Sequence, residues 1–397
     1  MSQSSDFVPF ALPSIGPEEE EAVLAVLRSG WLTTGKATLA FEAEFAAYVG
    51  APAALAVNSA TSGLHLALEA LGVGPGDFVV TSPYTFVSTA AVARHLGAEV
   101  LFCDVTPAGY DLDPEALEAV LRMNKGVKAI IPIHVGGYPC RMGEILELAR
   151  RHGCAVVEDC AHAFPVRLEE GFAGTLGDLG VYSFYATKTI TTGEGGMVLA
   201  RDEELRKRMA TMRSHGFDRG AWDRYTSKKA SWRYDVVEAG YKYNLPDLLA
   251  AIGREQLKKA GRFLEERRSI ASRYLEAFGG HPAFELPPVH PAHAWHLFSL
   301  RLRPEALRVG RDEFFERLQA KGIGLSVHFI PLHTMAYWSK RYGLRPEAFP
   351  NALDRFSRTI SLPIWQGMSA AQVERVVEAA LETAAEAGAP GPAAAGA

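Results

Sequence analysis

Lys188 stands in the run SFYATKTITTGEGGMV (183–198), after an apolar, strand-like segment and before a turn containing Gly193, Gly195 and Gly196. Lysines are almost never fully buried unless paired, and the next charge along the chain is Glu194. An amine held at a strand end and partly stripped of water loses proton affinity and becomes a nucleophile able to form a Schiff base with a carbonyl carbon. The glycines that follow permit positive φ and close approach of backbone to a ligand. On spacing alone, the plain alternative of a solvated surface lysine stays open.

Asp159 closes the apolar run VVEDCAHA (156–163). Pyridoxal phosphate needs a carboxylate against its ring nitrogen, because the protonated ring is the electron sink for a substrate carbanion. Taken alone, Asp159 reads first as a cap on a following helix. His162, three residues on, is placed to face a ring oxygen or to be a satisfied core histidine. In VNSATSGLHLAL (57–68), Thr61 and Ser62 fall where a strand passes into a helix, and free N–H groups with nearby hydroxyls cradle phosphate there. Ordinary N-capping produces the same pattern. SPYTFVSTAAVARHLGAEV (82–100) offers Tyr84 and Phe86 as rings able to stack on a planar cofactor, although aromatics at strand ends are usually core.

These signals reinforce one another because one sheet gathers the strand ends. Seven runs read as strands: 52–57, 77–82, 98–105, 127–135, 154–159, 180–186 and 195–200. Each is apolar at consecutive positions, the pattern of a mainly parallel sheet covered on both faces. Helical stretches lie between several of them, including 62–72, with Gly72 at its C-terminus, and 113–123, capped by Asp113. Alternating units of this kind give an α/β fold with ligands at the carboxyl ends of the strands. A long amphipathic helix after Pro246 leads into a smaller α+β domain with strand candidates at 293–302 and 324–330 and two terminal helices. The expected division is a large α/β domain over 1–250, a small C-terminal domain over 251–386 and a disordered tail over 387–397.

Composition narrows the class. The chain has 397 residues, enough for two domains, with 48% hydrophobic and 22% charged residues and a net charge of −5. Nothing there draws it to nucleic acid or a membrane. The N-terminal MSQSSDFVPFALPSIGPEEEEA lacks a basic stretch leading into an apolar one, so no secretory signal is expected and the location is read as cytoplasmic. Cys103, Cys140, Cys154 and Cys160 form no CxxC pair and read as reduced thiols, with no metal expected.

With these residues assembled, the chain resembles the sugar aminotransferases of the DegT/DnrJ/EryC1/StrS family, from SGWLTTGK (29–36) through SLPIW (361–365). Besides the segments above, SHGFD (214–218), GYKYNLPDLLAAIG (240–253), AWHLF (294–298) and VHFIPLH (327–333) carry the likeness. The resemblance implies a fold-type-I pyridoxal phosphate enzyme. Lys188 would be its Schiff-base lysine and proton shuttle, Asp159 the ring-nitrogen partner, and His162 a neighbour of the ring hydroxyl. Thr61, Ser62 and Ser183 would hold the phosphate, and Phe86 would stack on the ring. It further implies homodimers with shared sites, in which Lys242 or Asn244 (the latter favoured) reaches the partner's cofactor. Thr33, Thr34 and His328 would then face the substrate. A dehydratase branch carries histidine in place of the lysine, so Lys188 implies transamination. The implied donor is L-glutamate, released as 2-oxoglutarate, and the acceptor a nucleotide-linked keto sugar, C4 of a UDP-4-keto sugar being favoured. C3 amination of a dTDP- or GDP-keto sugar, or a non-catalytic sugar-binding role, are the alternatives.

Overall fold

The computed structural model of the chain describes residues 7–218 and 233–388. All seven expected runs become strands: β1 (Ala54–Val57), β2 (Phe78–Thr81), β3 (Glu99–Phe102), β4 (Val127–Ile131), β5 (Ala155–Asp159), β6 (Leu179–Ser183) and β7 (Gly196–Ala200). They lie side by side in the order β1-β7-β6-β5-β4-β2-β3. Strand β7 is antiparallel to both neighbours, and every other pairing is parallel. Apolar side chains at successive positions bury both faces, as the unbroken burial of β1 and β7 shows.

The helices of this part are α1 (Pro17–Ser29), α2 (Lys36–Val49), α3 (Ala60–Ala70), α4 (Val87–His95), α5 (Pro114–Met123), α6 (Met142–His152) and α7 (Glu203–Met212). Asp113 caps α5 as expected, its Oδ1 accepting the Glu115 N–H at 3.0 Å. Helix α3 starts at Ala60, two residues before the sequence estimate, because Ser59 caps it through the Ser62 N–H at 3.1 Å. Gly72 follows its end with φ +71°.

The expected long helix is α8 (Asp247–Phe278), one unbroken element of 32 residues. Its first half packs on α1 and α2, and the expected domain boundary at 250/251 falls inside it. Its second half carries Phe263, Ile270, Tyr274 and Phe278 into buried positions. Tyr274 and Phe278 belong to a second core with Phe298, Phe314 and Val376. Around that core lie β8 (Phe284–Glu285), β9 (Phe298–Leu302) and β10 (Thr359–Leu362), a small antiparallel sheet in the order β10-β9-β8. Helices α9 (Arg311–Ala320), α10 (Ala336–Tyr342), α11 (Pro350–Arg358) and α12 (Ala370–Ala387) follow, more than the two helices expected, and α10 packs back on the large sheet through Trp338, buried with Val100 and Phe102.

Two expectations for this second half are corrected. Of 293–302, only Phe298–Leu302 is strand, because the preceding histidine-rich stretch turns through Trp295 at φ +48°. The candidate at 324–330 forms no strand and touches β10 through the single bridge Ser326–Ser361. Beyond that bridge a side chain takes the backbone, since Tyr84 Oη donates to the His328 carbonyl at 2.5 Å. The N-terminal segment joins this half as well: Val8 bridges Ile323, and Trp365 Nε1 donates to the Pro9 carbonyl at 3.1 Å. The expected tail lies outside the described residues from 389 onward; Ala387 ends α12 and Gly388 bridges Leu307. Among the described residues no helix is long and apolar enough to cross a membrane.

Candidate active site

At the carboxyl ends of β5 and β6, facing the second half, lies a cavity of about 480 Å³ lined by Lys188, Asp159, His162, Ser183, Thr61, Phe86 and His328 among others. That size suits a small cofactor together with part of a substrate.

The first turn of α3 forms one wall. Ala60 and Thr61 are its first two helical residues, whose N–H groups have no intrahelical acceptor. Together with Ser59 they line the cavity and present the positive end of the helix to it. Ser62 turns inward instead: its hydroxyl bonds Asn58 Oδ1 at 2.6 Å and the Ser59 carbonyl at 2.8 Å, and the residue is 5% exposed. Its contribution to the turn is therefore to brace Asn58 and Ser59. Ser183, at the end of β6, keeps its hydroxyl near the wall and accepts the Tyr185 N–H at 3.3 Å.

Gly196 makes this wall possible. A methyl group there would meet the Ala60 nitrogen and the Tyr182 carbonyl oxygen at 2.8 Å and the Ser59 carbonyl carbon at 2.9 Å. Every one of these is backbone, so Gly196→Ala must push the first turn of α3 off the sheet. Overpacking of this kind costs about 1–3 kcal/mol. We expect this variant to have a lowered Tm and to hold phosphate-bearing ligands less tightly, measured by thermal denaturation with and without pyridoxal phosphate.

Lys188 follows β6 in a tight turn, its own N–H bonded to the Tyr185 carbonyl at 2.9 Å, with Gly193 at φ +83° closing the loop. Burial pulls the amine down to about 8, Asp159 opposes the shift and Arg267 adds to it. Asp159 is 4% exposed at the end of β5. Its Oδ2 accepts from Thr89 Oγ1 at 2.8 Å and its Oδ1 from the Ala161 N–H at 3.1 Å. Burial pushes this carboxyl above its usual range against the pull of those two donors and of Lys188. The helix-cap alternative fails, since residues 160–178 contain no helix for Asp159 to cap.

Three histidines close the cavity. His162 Nδ1 accepts the Gly136 N–H at 3.2 Å. Burial, then Lys188 and His328, hold the ring well below its usual range, so it is neutral. With Nδ1 occupied as acceptor, the single proton sits on Nε2. His162 stacks on Phe329 at 5.6 Å between ring centroids and lies 4.4 Å from His296. His328 is pulled down to about 4 by burial, its Nδ1 bonded to Ser361 Oγ at 2.9 Å. Phe86 is 58% exposed and lines the cavity, its ring centroid 6.4 Å from that of Phe329. Tyr84 is no stacking platform: it is fully buried against Tyr110.

Thr33, Thr34 and Asn244 lie apart from this cavity. Thr34 Oγ1 gives its proton to the Leu245 carbonyl at 2.6 Å and accepts from Asn244 Nδ2 at 2.7 Å. Asn244 Oδ1 is buried without a partner. Thr33 and Lys242 are exposed. Within one protomer this group and Lys188 do not share a site.

Among the residues that sequence reasoning did not single out are His296, Phe329, Phe10, Glu194 and Thr89. The first four line the cavity, and Thr89 holds Asp159. His296 and Phe329 fell within the AWHLF and VHFIPLH segments, a usable signal; Phe10 is brought in by the N-terminal segment, for which spacing offers none. A separate buried trio, His134, Glu158 and Cys160, has ligand atoms close enough to hold a metal. Its carboxylate is already satisfied by His134 Nε2 at 3.1 Å and by the N–H groups of Gly174, Leu176 and Gly177 at 2.7–2.8 Å.

An amine, a two-donor carboxylate, an N–H-donating histidine, a helix N-terminus and an exposed ring around one cavity fit the reactive parts of pyridoxal phosphate one by one. Comparison with known proteins agrees. Residues 13–381 match the DegT/DnrJ/EryC1/StrS aminotransferase family. The spore coat polysaccharide biosynthesis protein SpsC of Bacillus subtilis is 44% identical over 382 residues, covering 96% of this chain and 97% of SpsC. The PMP-form structure of the putative sugar aminotransferase Spr1654 of Streptococcus pneumoniae superposes with a TM-score of 0.89 at 28% identity, over 96% of this chain and 99% of the other. The aminotransferase TlmJ of Streptoalloteichus hindustanus gives a TM-score of 0.87 at 33% identity, over 96% and 99%.

Proposed function

We propose, for a chain that belongs to the DegT/DnrJ/EryC1/StrS aminotransferase family and is thus a pyridoxal-phosphate-dependent sugar aminotransferase, that Lys188 is the lysine holding the cofactor and that the acceptor is a nucleotide-linked keto sugar. The observation that carries this reading is the convergence of Lys188, Asp159 and His162 on one cavity with the open first turn of α3.

Bound there, pyridoxal phosphate supplies an electron sink for the pair released when the substrate's C–H bond breaks. Asp159, held by Thr89 and the Ala161 N–H, would pair with the ring nitrogen and keep it protonated. His162 would donate a hydrogen bond from Nε2–H to the ring oxygen. The amides of Ala60 and Thr61, with the Thr61 and Ser183 hydroxyls, would hold the phosphate, Ser62 bracing the turn beneath them, and Phe86 would stack on the ring. Lys188 Nζ moves the proton in both halves of the reaction. It removes the proton from the α-carbon of the amino donor, for which we favour L-glutamate, and later delivers one to the sugar carbon. With its pKa near 8, about a tenth of this amine is unprotonated at pH 7, so it can act as base and, once charged, as acid.

We read the working unit as a homodimer in which Asn244, with its unpartnered Oδ1, serves the neighbouring cofactor and Thr33 and Thr34 face the neighbouring substrate. His328 lines the sugar side of the protomer's own cavity. The division into domains at 1–250 and 251–386 and a cytoplasmic location belong to the same reading. Within the family, GYKYNL and HAWHLF are most like the UDP-4-amino-4-deoxy-L-arabinose–oxoglutarate aminotransferases, which favours C4 of a UDP-4-keto sugar. The similarity to SpsC favours a role in making polysaccharide or modified sugars. Glutamate-dependent amination across UDP-, GDP- and dTDP-4-keto sugars with 3-keto controls tests this. The UDP-4-keto sugar should have the highest kcat/KM, and a preference for a 3-keto sugar would contradict the assignment.

A further inference from the structure

Arg267 is a charge in an unexpected place. It lies on α8 between Phe263 and Ile270 on the stripe that faces inward, and it is 1% exposed. All its hydrogen-bond acceptors are neutral. Nη1 donates to the carbonyls of Ile364 at 2.8 Å, Trp295 at 3.2 Å and His296 at 3.3 Å, and Nε donates to Gln366 Oε1 at 3.1 Å. Among the described residues no carboxylate pairs with it. A buried guanidinium solvated only by carbonyl dipoles is costly, and an apolar side chain would fill the same space without that cost.

Its partners lead to the cavity from two directions. His296 and Ile364 line it, so the guanidinium pins two stretches of the second half to its wall. Gln366, on the same stretch as Ile364, donates from Nε2 to the Thr189 carbonyl at 3.3 Å, one residue from Lys188. Helix α8, the wall and the lysine turn are thus joined through one cation.

We propose that Arg267 is a positioning residue that clamps the His296–Ile364 wall onto the Lys188 turn and sets an unneutralised positive charge behind the reacting amine. The charge disfavours the protonated amine by simple repulsion and leaves more of it free to accept a proton. The other titratable groups around Lys188 are Asp159 on β5, Tyr185 and Glu194 on either side of the turn, and His162, His296 and His328. Burial holds the three histidines below their usual range. Asp159 favours the protonated amine, and Arg267 is the cation that opposes it.

The inference rests on the reading of Lys188 as the reacting amine, and its test works without donor, sugar or turnover. Full-length protein freed of pyridoxal phosphate is labelled with trace acetic anhydride across a pH series, and acetylation at Lys188 is read by peptide mass spectrometry. The wild-type midpoint is expected near 8. Arg267→Gln keeps amide donors for the carbonyls but loses the charge, and its midpoint should rise by roughly one pH unit, about tenfold in proton affinity. Arg267→Met should show the same rise, and Arg267→Lys, which keeps the charge, should stay near wild type. Equal midpoints in wild type and both neutral variants overturn the proposal. A rise in Arg267→Lys as large as in Arg267→Gln overturns it too, because packing and not charge would then be responsible. If the holoprotein lacked a cofactor on Lys188, the functional reading would fail while these midpoints still stood on their own.

Discussion

Lys188→Ala protein is expected to lose at least about 10⁴-fold in amination rate, the upper range for removing a positioned general acid–base group. Two roles vanish at once, the covalent hold on the cofactor and the proton carrier at the substrate carbon. No nearby group can substitute. His162 and His328 face the same cavity, but burial keeps them poor bases, His328 with a pKa of about 4. The fold should survive, because burial already disfavours the charged form of this lysine. A circular dichroism spectrum and Tm close to wild type, beside steady-state rates with L-glutamate and a keto sugar, would separate lost chemistry from lost structure. Near-wild-type turnover would remove Lys188 from the mechanism.

Asp159→Asn should cost about 10³-fold in rate, equal to about 4 kcal/mol of barrier. The side chain keeps its size, and its carbonyl oxygen can still accept from Thr89 or Ala161. What disappears is the negative charge that holds a proton on the ring nitrogen, and removing one partner of a buried charge pair typically costs about 3–5 kcal/mol. The loss should fall on kcat more than on phosphate anchoring, which the α3 turn and Ser183 carry from a different wall. Pyridoxal phosphate should therefore still bind to Asp159→Asn protein, measured by equilibrium dialysis, while turnover collapses. A loss of only a few-fold would mean that another group protonates the ring.

The large sheet was legible because each strand is apolar at consecutive positions and short, a pattern that a helix of two or three turns does not share. Strand ends then pointed to Lys188, Asp159, Ser183 and Phe86, since an α/β sheet collects its ligands there. Tertiary contacts escaped that logic. Phe10 reaches the cavity only because Val8 pairs with Ile323, a contact across most of the chain that no local pattern encodes. The 324–330 run has strand-like composition, yet Tyr84 captures its backbone. Ser62 was read as facing a ligand, but periodicity cannot show that Asn58 and Ser59 claim its hydroxyl first. Arg267 had a visible signal: it occupies an inward position in the 263, 267, 270, 274 series of α8 and is the one residue there that should not be buried. In a segment reading EERRS it passes for one solvated charge among several.

The most direct measurement is chemical trapping of the amine. Holoprotein treated with borohydride, digested and mapped by mass spectrometry should show the pyridoxyl phosphate mass on the peptide that contains Lys188, with the visible chromophore bleached irreversibly. Absence of the adduct from that peptide, or its appearance on another lysine in protein that still transaminates, would contradict the assignment of Lys188.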